Sequence, residues 1–381
     1  MRIIILLFVF SCLFPIQSYS REKELLDFSG DVRFGAFGRD RDERGGEDSR
    51  RDELRIRARA GVQVNFTDSF TGKLRFAGRY SGDDRFNTYH FEIFEAIPSE
   101  NGLRLGDSTI DEFYLRYAPN EKFDIRLGRF QTKFELEGVA KKSFSRNDSP
   151  NTDITWTDGV HVKYTIPSGW DLHAILQRST DEGPTTVRRS PLNFEEEDSH
   201  ITYYLGVEKK DKDKTIVQKA IDITHIPDAL QRDGNATGSI EDYTTVSSRL
   251  AMQWPLGKSG TKFLWGNEVG YAFNTPRKSA INTGGEKDTS GLAFQTTFNF
   301  IDIWPKHSVG VVYAQIHGGW LISGDFGNNQ ELVETRYKWQ VTKNQKLEAR
   351  IRNREDIDKR TNAERKRREW DYYLRYTIKF N

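Results

Sequence analysis

The chain has 381 residues, with 57 Lys+Arg against 56 Asp+Glu, 30% charged and 13% aromatic residues, seven histidines and one cysteine. A net charge near zero argues against a nucleic-acid partner, because the phosphate backbone is held by an excess of bases. One cysteine excludes an internal disulfide, and so many aromatics beside so much charge call for an apolar surface that is one-sided.

Residues 1–20 read as a cleaved signal peptide. Met1-Arg2 is a short positive start, Ile3 to Ile16 is an apolar run interrupted at Ser11 and Cys12, and Ser18-Tyr19-Ser20 sets small residues at the −3 and −1 places before Arg21. The run is too short to cross ~30 Å of hydrocarbon comfortably as an anchor helix. Cleavage removes Cys12 and one base, so Lys+Arg falls from 57 to 56. Residues 21–381 are expected to form a single domain.

From there the chain alternates apolar and polar residues at period two, which gives a strand one greasy and one wet face. Leu54, Ile56, Ala58, Ala60, Val62 and Val64 interleave with Arg55, Arg57, Arg59 and Gln63. Leu74 and Phe76 interleave with Lys73, Arg75 and Arg79. The same grammar runs through Val160–Ile166, Leu292–Phe300 and Leu347–Ile351. In the last segment, Trp370, Tyr372, Leu374, Tyr376, Ile378 and Phe380 hold one parity. Sixteen such segments begin near Asp27, Arg51, Ser69, Thr109, Lys122, Thr157, Gly169, Ser199, Lys214, Asp242, Thr261, Thr289, Ser308, Gln330, Gln345 and Arg368. Near Lys214 the pattern puts Lys219 on the apolar face, and near Ser308 neither parity dominates.

The connections alternate in length. Asn65–Ser69, Ala118–Glu121, Pro167–Ser168, Lys209–Asp213, Pro255–Gly260, Trp304–His307 and Thr342–Asn344 are short and rich in turn formers. Between them fall Asp40–Arg50, Gly82–Ser108, Gln131–Trp156, Thr180–Asp198, Pro227–Glu241, Thr275–Asp288, Ser323–Asn329 and Glu355–Arg367, most of them longer. Short turns on one side and long loops on the other predict an all-β fold: a transmembrane antiparallel up-and-down β-barrel of about sixteen strands, with periplasmic turns and extracellular loops. Fourteen or eighteen strands stay open as alternatives.

Bases at spacing two must share a face, and on the lipid side each would cost ~2–4 kcal/mol at mid-depth. The expected inner face therefore carries Arg33 on strand one, Arg55, Arg57 and Arg59 on strand two, Lys73, Arg75 and Arg79 on strand three, Arg350, Arg352 and Arg354 on strand fifteen, and Arg375 and Lys379 on strand sixteen. Closure makes these strands neighbours and joins their bases into one wall that favours anions. Asp31, Glu53, Glu348 and Asp371 are candidate partners that would offset part of it.

The stretches Asp111–Tyr117, Phe123–Phe130 (ending Leu127-Gly128-Arg129-Phe130) and Trp156–Val160 resemble the strand-four, strand-five and third-loop region of Gram-negative outer-membrane porins, general and phosphate-selective. The resemblance covers roughly Leu54 to Arg178 in detail; the loop lacks the Pro-Glu-Phe-Gly turn of general porins. It implies a water-filled channel for passive diffusion of small hydrophilic solutes, with no cofactor or metal and with outer-membrane lipid as surroundings. It also implies that the third long loop, residues 131–156, folds inward. Lys133, Glu135, Glu137, Lys141, Lys142, Arg146, Asp148 and Asp153 would then line a constriction, the acids facing the Arg wall. Porins commonly form trimers; no patch in the sequence decides that here.

Two other classes of outer-membrane barrel have requirements the sequence can be read for. A barrel hydrolase would need His161 or His173, with Asp171 near, to meet a nucleophile, and the sequence carries no Gly-x-Ser-x-Gly elbow or metal-binding His or Cys spacing. An adhesive barrel would use charged loops such as Arg39–Arg44 and Asp358–Arg368.

Overall fold

In a computed structural model, the described residues are 24–83, 91–94, 104–105, 108–145, 154–179, 190–194, 200–235, 238–257 and 260–380. The leader at 1–20, and Arg146, Asp148 and Asp153 of the third long loop, lie outside them.

Sixteen long strands run in chain order: β1 (Leu26–Asp42), β2 (Asp48–Asn65), β3 (Phe70–Asp83), β4 (Ser108–Asn120), β5 (Phe123–Phe130), β6 (Thr157–Thr165), β7 (Asp171–Ser179), β8 (His200–Lys210), β9 (Ile216–Gln231), β10 (Ile240–Pro255), β11 (Lys262–Ala272), β12 (Leu292–Trp304), β13 (His307–Ile316), β14 (Gln330–Thr342), β15 (Gln345–Asp356) and β16 (Arg368–Phe380). Two short ladder pieces, Phe91–Phe94 and Arg104–Leu105, belong to the connection between β3 and β4. Each long strand pairs antiparallel with the next, and β1 pairs with β16 from Gly30↔Phe380 to Asp42↔Arg368, which closes the sheet into a barrel.

Closure removes the free edges that an open sheet would leave. Local chemistry sets the short turns. Asn120 Oδ1 accepts from the amides of Lys122 and Phe123 at 2.9 and 3.1 Å, and Thr67 Oγ1 accepts from those of Ser69 and Phe70 at 3.3 and 3.0 Å. Such side-chain acceptors fold the backbone back on itself.

Some boundaries differ from the sequence expectation. β1 and β2 extend through Asp42 and Asp48, so the first outer connection is residues 43–47 rather than Asp40–Arg50. Arg41, held by Glu369 at 2.5 Å, keeps this end in the ladder. β9 likewise runs on to Gln231 through Pro227, because a register shift between Ile226 and Leu230 absorbs the proline and the left-handed Asp228, φ 47. A second shift, between Ile216 and Gln218, explains the odd parity near Lys214. It buries Val217 and Gln218 in succession and leaves Lys219 exposed on the outside.

The barrel is inside-out. Leu54, Leu127, Leu205, Ile221, Ile351 and Leu374 are exposed, whereas Arg57, Asp111, Glu268, Glu334 and Arg336 are buried. Exposed aromatics stand near both rims: Phe28, Phe66, Tyr117, Trp254, Trp304 and Phe380 toward the short turns, Tyr203, Tyr271, Phe273 and Trp370 toward the long loops. Such girdles mark the two interfaces of a membrane.

The interior is divided. Toward the long-loop rim of β9–β14 the inner wall is apolar: Ile226, Ala272, Ala293, Val312, Ala314, Ile316 and Leu332 pack with Ala140, Phe144, Leu192, Phe194, Trp320, Leu321, Ile322 and Phe326, all contributed by outer loops, while deeper in the same strands Asp222, Arg249 and Glu268 are buried. Both faces of β13 are therefore apolar, one against lipid and one against these loops, which is why its parity was unreadable. Gly270 is part of this fit. A Cβ there would lie 2.6 Å from the Trp320 ring, so only glycine lets the indole rest against the strand.

Candidate functional site

The other half of the interior is charged. It spans β14, β15, β16, β1, β2 and β3, and period-two spacing places its bases on the inner face. The ladders bring together residues far apart in sequence: Arg33 opposes both Thr377 and Arg57, Asp31 opposes Lys379 and Arg59, and Arg79 opposes Arg57.

Carboxylates are shared along this wall. Asp31 binds Arg57 and, at 2.6 Å, Arg59. Asp111 takes Arg75 at 2.8 Å and lies 3.7 Å from Arg59. Glu53 binds Arg55 and also Arg51 at 3.2 Å. Glu348 takes Arg375 at 3.1 Å and Lys346 at 2.8 Å. Asp371 serves Arg350, Arg352 at 2.6 Å and Arg354 at 3.2 Å. All four candidate partners named from sequence thus meet bases. Lys73 donates to Ser29 Oγ at 2.8 Å, and Arg33 to Thr377 Oγ1 at 3.3 Å.

Aromatic rings hold several guanidiniums without neutralising them. Tyr373 lies under Arg350 at 4.4 Å and Arg375 at 4.5 Å, and Phe37 under Arg55 at 4.4 Å.

Sequence reasoning missed Asp111, Glu112, Glu334, Arg336, Lys338 and Glu369. Four of these follow the same parity rule on β14 and β16 and were open to it. Asp111 was not. A register shift between Arg75 and Phe76 lets both Asp111 and Glu112 reach Arg75, which strict alternation forbids.

The described part of the third long loop, residues 131–145, folds into the barrel. Arg129 and Asp158, at 2.7 Å, and Gln131 with the Thr155 carbonyl, at 2.7 Å, close its neck. From there the loop crosses to the far wall. Gln218 Oε1 accepts from the Glu137 amide at 2.8 Å, and Asn299 Oδ1 from the Val139 amide at 2.8 Å. Glu268 accepts from Ser143 Oγ at 2.7 Å and from the Phe144 amide at 3.0 Å. Arg336 donates to the Ala140 carbonyl at 3.0 Å, and Lys142 pairs with Glu334 at 3.0 Å.

The described carboxylates of this loop do not form an acidic face. Glu135 is matched by Lys141 at 2.9 Å, and Glu137 lies 4.0 Å from Lys210. Burial holds the Lys133 ammonium below the usual lysine range. Glu135 opposes that shift, while Lys379, Arg59 and Lys141 add to it, so this base lies within electrostatic reach of the wall. The loop face is of mixed sign because its acids are neutralised within it or by the far side.

Toward the outer rim lies a cavity of ≈ 490 Å³. Arg55, Arg350, Arg352, Arg354 and Arg375 line it from the wall, Arg44, Arg360 and Arg367 from outer loops, and among the described residues Asp325 is its one carboxylate. Arg360 and Arg367 are both pulled below the usual arginine range, by burial first and then by the Arg44 charge.

His161 and His173 do meet, Nε2 to Nδ1 at 3.1 Å, on the inner face of β6 and β7. Phe134 packs edge-on to both rings, and Asp171 is engaged by Lys163 at 2.9 Å and by Thr165. Among the described residues no group of three His, Cys, Asp or Glu could hold a metal ion.

No family model matches the sequence, and no curated protein matches it. Solved structures do match. OprB of Pseudomonas putida aligns with a TM-score of 0.60 at 9% identity, over 93% of this chain and 94% of that one. This chain has the fold of the outer-membrane porins. Two Pseudomonas aeruginosa structures align over the same 93% of this porin-fold chain: OccK9 (OpdG), TM-score 0.52 at 14% identity over 98% of its length, and OpdQ, TM-score 0.51 at 11% over 99%. The match spans nearly the whole of each chain, so the porin fold accounts for all of the barrel described above.

Proposed function

We propose that the protein is an outer-membrane channel through which small hydrophilic solutes diffuse, with a modest preference for anions. The signal peptide at 1–20 exports it, and residues 21–381 form one barrel in the bacterial outer membrane. The wall bases Arg33, Arg55, Arg57, Arg59, Lys73, Arg75, Arg79, Arg350, Arg352, Arg354, Arg375 and Lys379 line the pore, and residues 131–156 narrow it. The observation that carries the preference is the sharing of carboxylates. Asp31, Glu53, Asp111, Glu348 and Asp371 each bridge two or three bases, and although Glu112, Glu334 and Glu369 stand beside Arg75, Arg352 and Arg354, the bases of the wall still outnumber its acids. In a narrow wet passage that excess concentrates anions. Carboxylate and phosphate solutes suit it best, since guanidiniums bind them by paired hydrogen bonds.

Planar-bilayer recordings in a salt gradient test this. The wild-type reversal potential should report anions as the more permeant ions. Replacing Arg57, Arg59 and Arg352 together by Gln should shift it toward cations. The shift should shrink as salt rises, because the Debye length falls from ~10 Å at 0.1 M to ~3 Å at 1 M. A cation-preferring wild type, or a triple variant unchanged at low salt, would remove the anion preference and leave the channel assignment standing.

A further inference from the structure

On the lipid side of β6–β10 the ladders stack side chains into rows. One row sets Lys209 directly opposite Lys219, with Leu250 next to Lys219. Trp170 stands one residue beyond the Glu208↔Asp171 pair, at the same level. The row above is Tyr164, Leu172, Val207 and Ile221, and above that Ala174 sits between Val162 and Leu205. The small Ala174 between larger neighbours leaves a groove of ≈ 900 Å³ whose lining includes Trp170 and Lys219.

Two like charges directly opposite one another on neighbouring strands destabilise a sheet. Lys209 spends one proton on the Ser168 carbonyl at 2.6 Å. Lys219 is exposed and makes no ion pair or hydrogen bond among the described residues. Its strand is bulged just below it, so the outward aim is built into the backbone. The pair lies near the short-turn rim, where lipid phosphates of the periplasmic leaflet reside; an apolar groove rises from Lys219, and Lys209 stands beside its lining.

We propose that this groove binds an anionic phospholipid of the periplasmic leaflet, its phosphate between Lys209 and Lys219 and an acyl chain along Tyr164, Leu172 and Ile221. The phosphate supplies the counter-charge that the sheet lacks, and long lysine stems reach it by snorkelling. A second copy of this chain is a poorer occupant, since an apolar contact would bury both ammoniums without a partner.

The test uses the full-length mature protein, folded in detergent and in vesicles. Wild-type protein should retain phosphatidylglycerol in mass spectra at detergent levels that strip phosphatidylcholine. Each lysine should contribute roughly fivefold to that discrimination, so Lys209→Gln/Lys219→Gln should lose most of it while conductance and heat-modifiable migration stay unchanged. If the double variant fails to fold, Lys219→Gln alone serves. As an independent reading, vesicles of brominated phosphatidylglycerol should quench wild-type tryptophan fluorescence more than brominated phosphatidylcholine, and the difference should vanish in Trp170→Phe. Equal retention of the two lipids, equal quenching, or a protein–protein cross-link through position 219 in lipid-free samples would overturn the proposal.

Discussion

Asp111 is fully buried inside the barrel and takes two hydrogen bonds from Arg75, both at 2.8 Å. Removing one partner of a buried pair costs about 3–5 kcal/mol when the other charge is left alone; here Glu112, at 3.2 Å, still faces Arg75, so the loss should be smaller. Asp111→Asn should lower the temperature at which the folded gel band converts to the unfolded one. It should also strengthen anion preference at low salt, because Arg75 and Arg59 lose a shared counter-ion. Unchanged selectivity in a folded variant would mean that this part of the wall lies outside the conducting path. The residue also marks a limit of period-two reading. Nothing in Thr109–Tyr117 announces the bulge; it follows from how β3 and β4 settle against each other. By contrast Arg55, Arg57 and Arg59 were legible, because three arginines at alternate positions of a lipid-crossing strand have one tolerable side.

At the scale of elements, residues 131–145 and 317–329 pack into the lumen among the described residues. The third long loop hangs from Glu268 through Ser143 Oγ and the Phe144 amide. Glu268→Ala removes both acceptors and should raise single-channel conductance and current noise without abolishing the barrel. The loop of residues 317–329 is fixed differently, by Trp320 lying against Gly270, with Tyr243 Oη donating to the Gly319 carbonyl at 2.8 Å. Gly270→Val should expel the indole, read as greater accessibility of Trp320 to an aqueous quencher and a wider channel. Quenching unchanged from wild type would show that the strand gives way instead. The rhythm of short and long connections made the sixteen strands readable. The infolding of the third loop followed from the resemblance alone, and that of residues 317–329 was not readable, since such apolar residues find partners on elements far along the chain, as Phe144 does with Trp320 of another loop. That pairing also hid the parity of β13.

For the whole molecule, the test of inside and outside is a pair of substitutions on one strand. Leu374, at the middle of β16, is 53% exposed, and Thr377 is 3% exposed and 3.3 Å from Arg33. Leu374→Arg should cost about 2–4 kcal/mol and reduce the yield of heat-modifiable protein. Thr377→Glu, facing the guanidinium, should assemble. The opposite ranking would reverse the sidedness of the barrel. The same contrast bears on the seam where the two ends of the chain meet. Arg41 reaches Glu369, Arg33 reaches Thr377, and the rings of Phe34 and Tyr376 touch on the outer side at 5.5 Å. A slip of one residue there would turn every side chain of the last strand over. It would push Asp371 and Arg375 into hydrocarbon and Leu374 into water. The ring of strands can therefore be fastened in one alignment only, and the charge that fills the lumen also acts as the key to its own clasp.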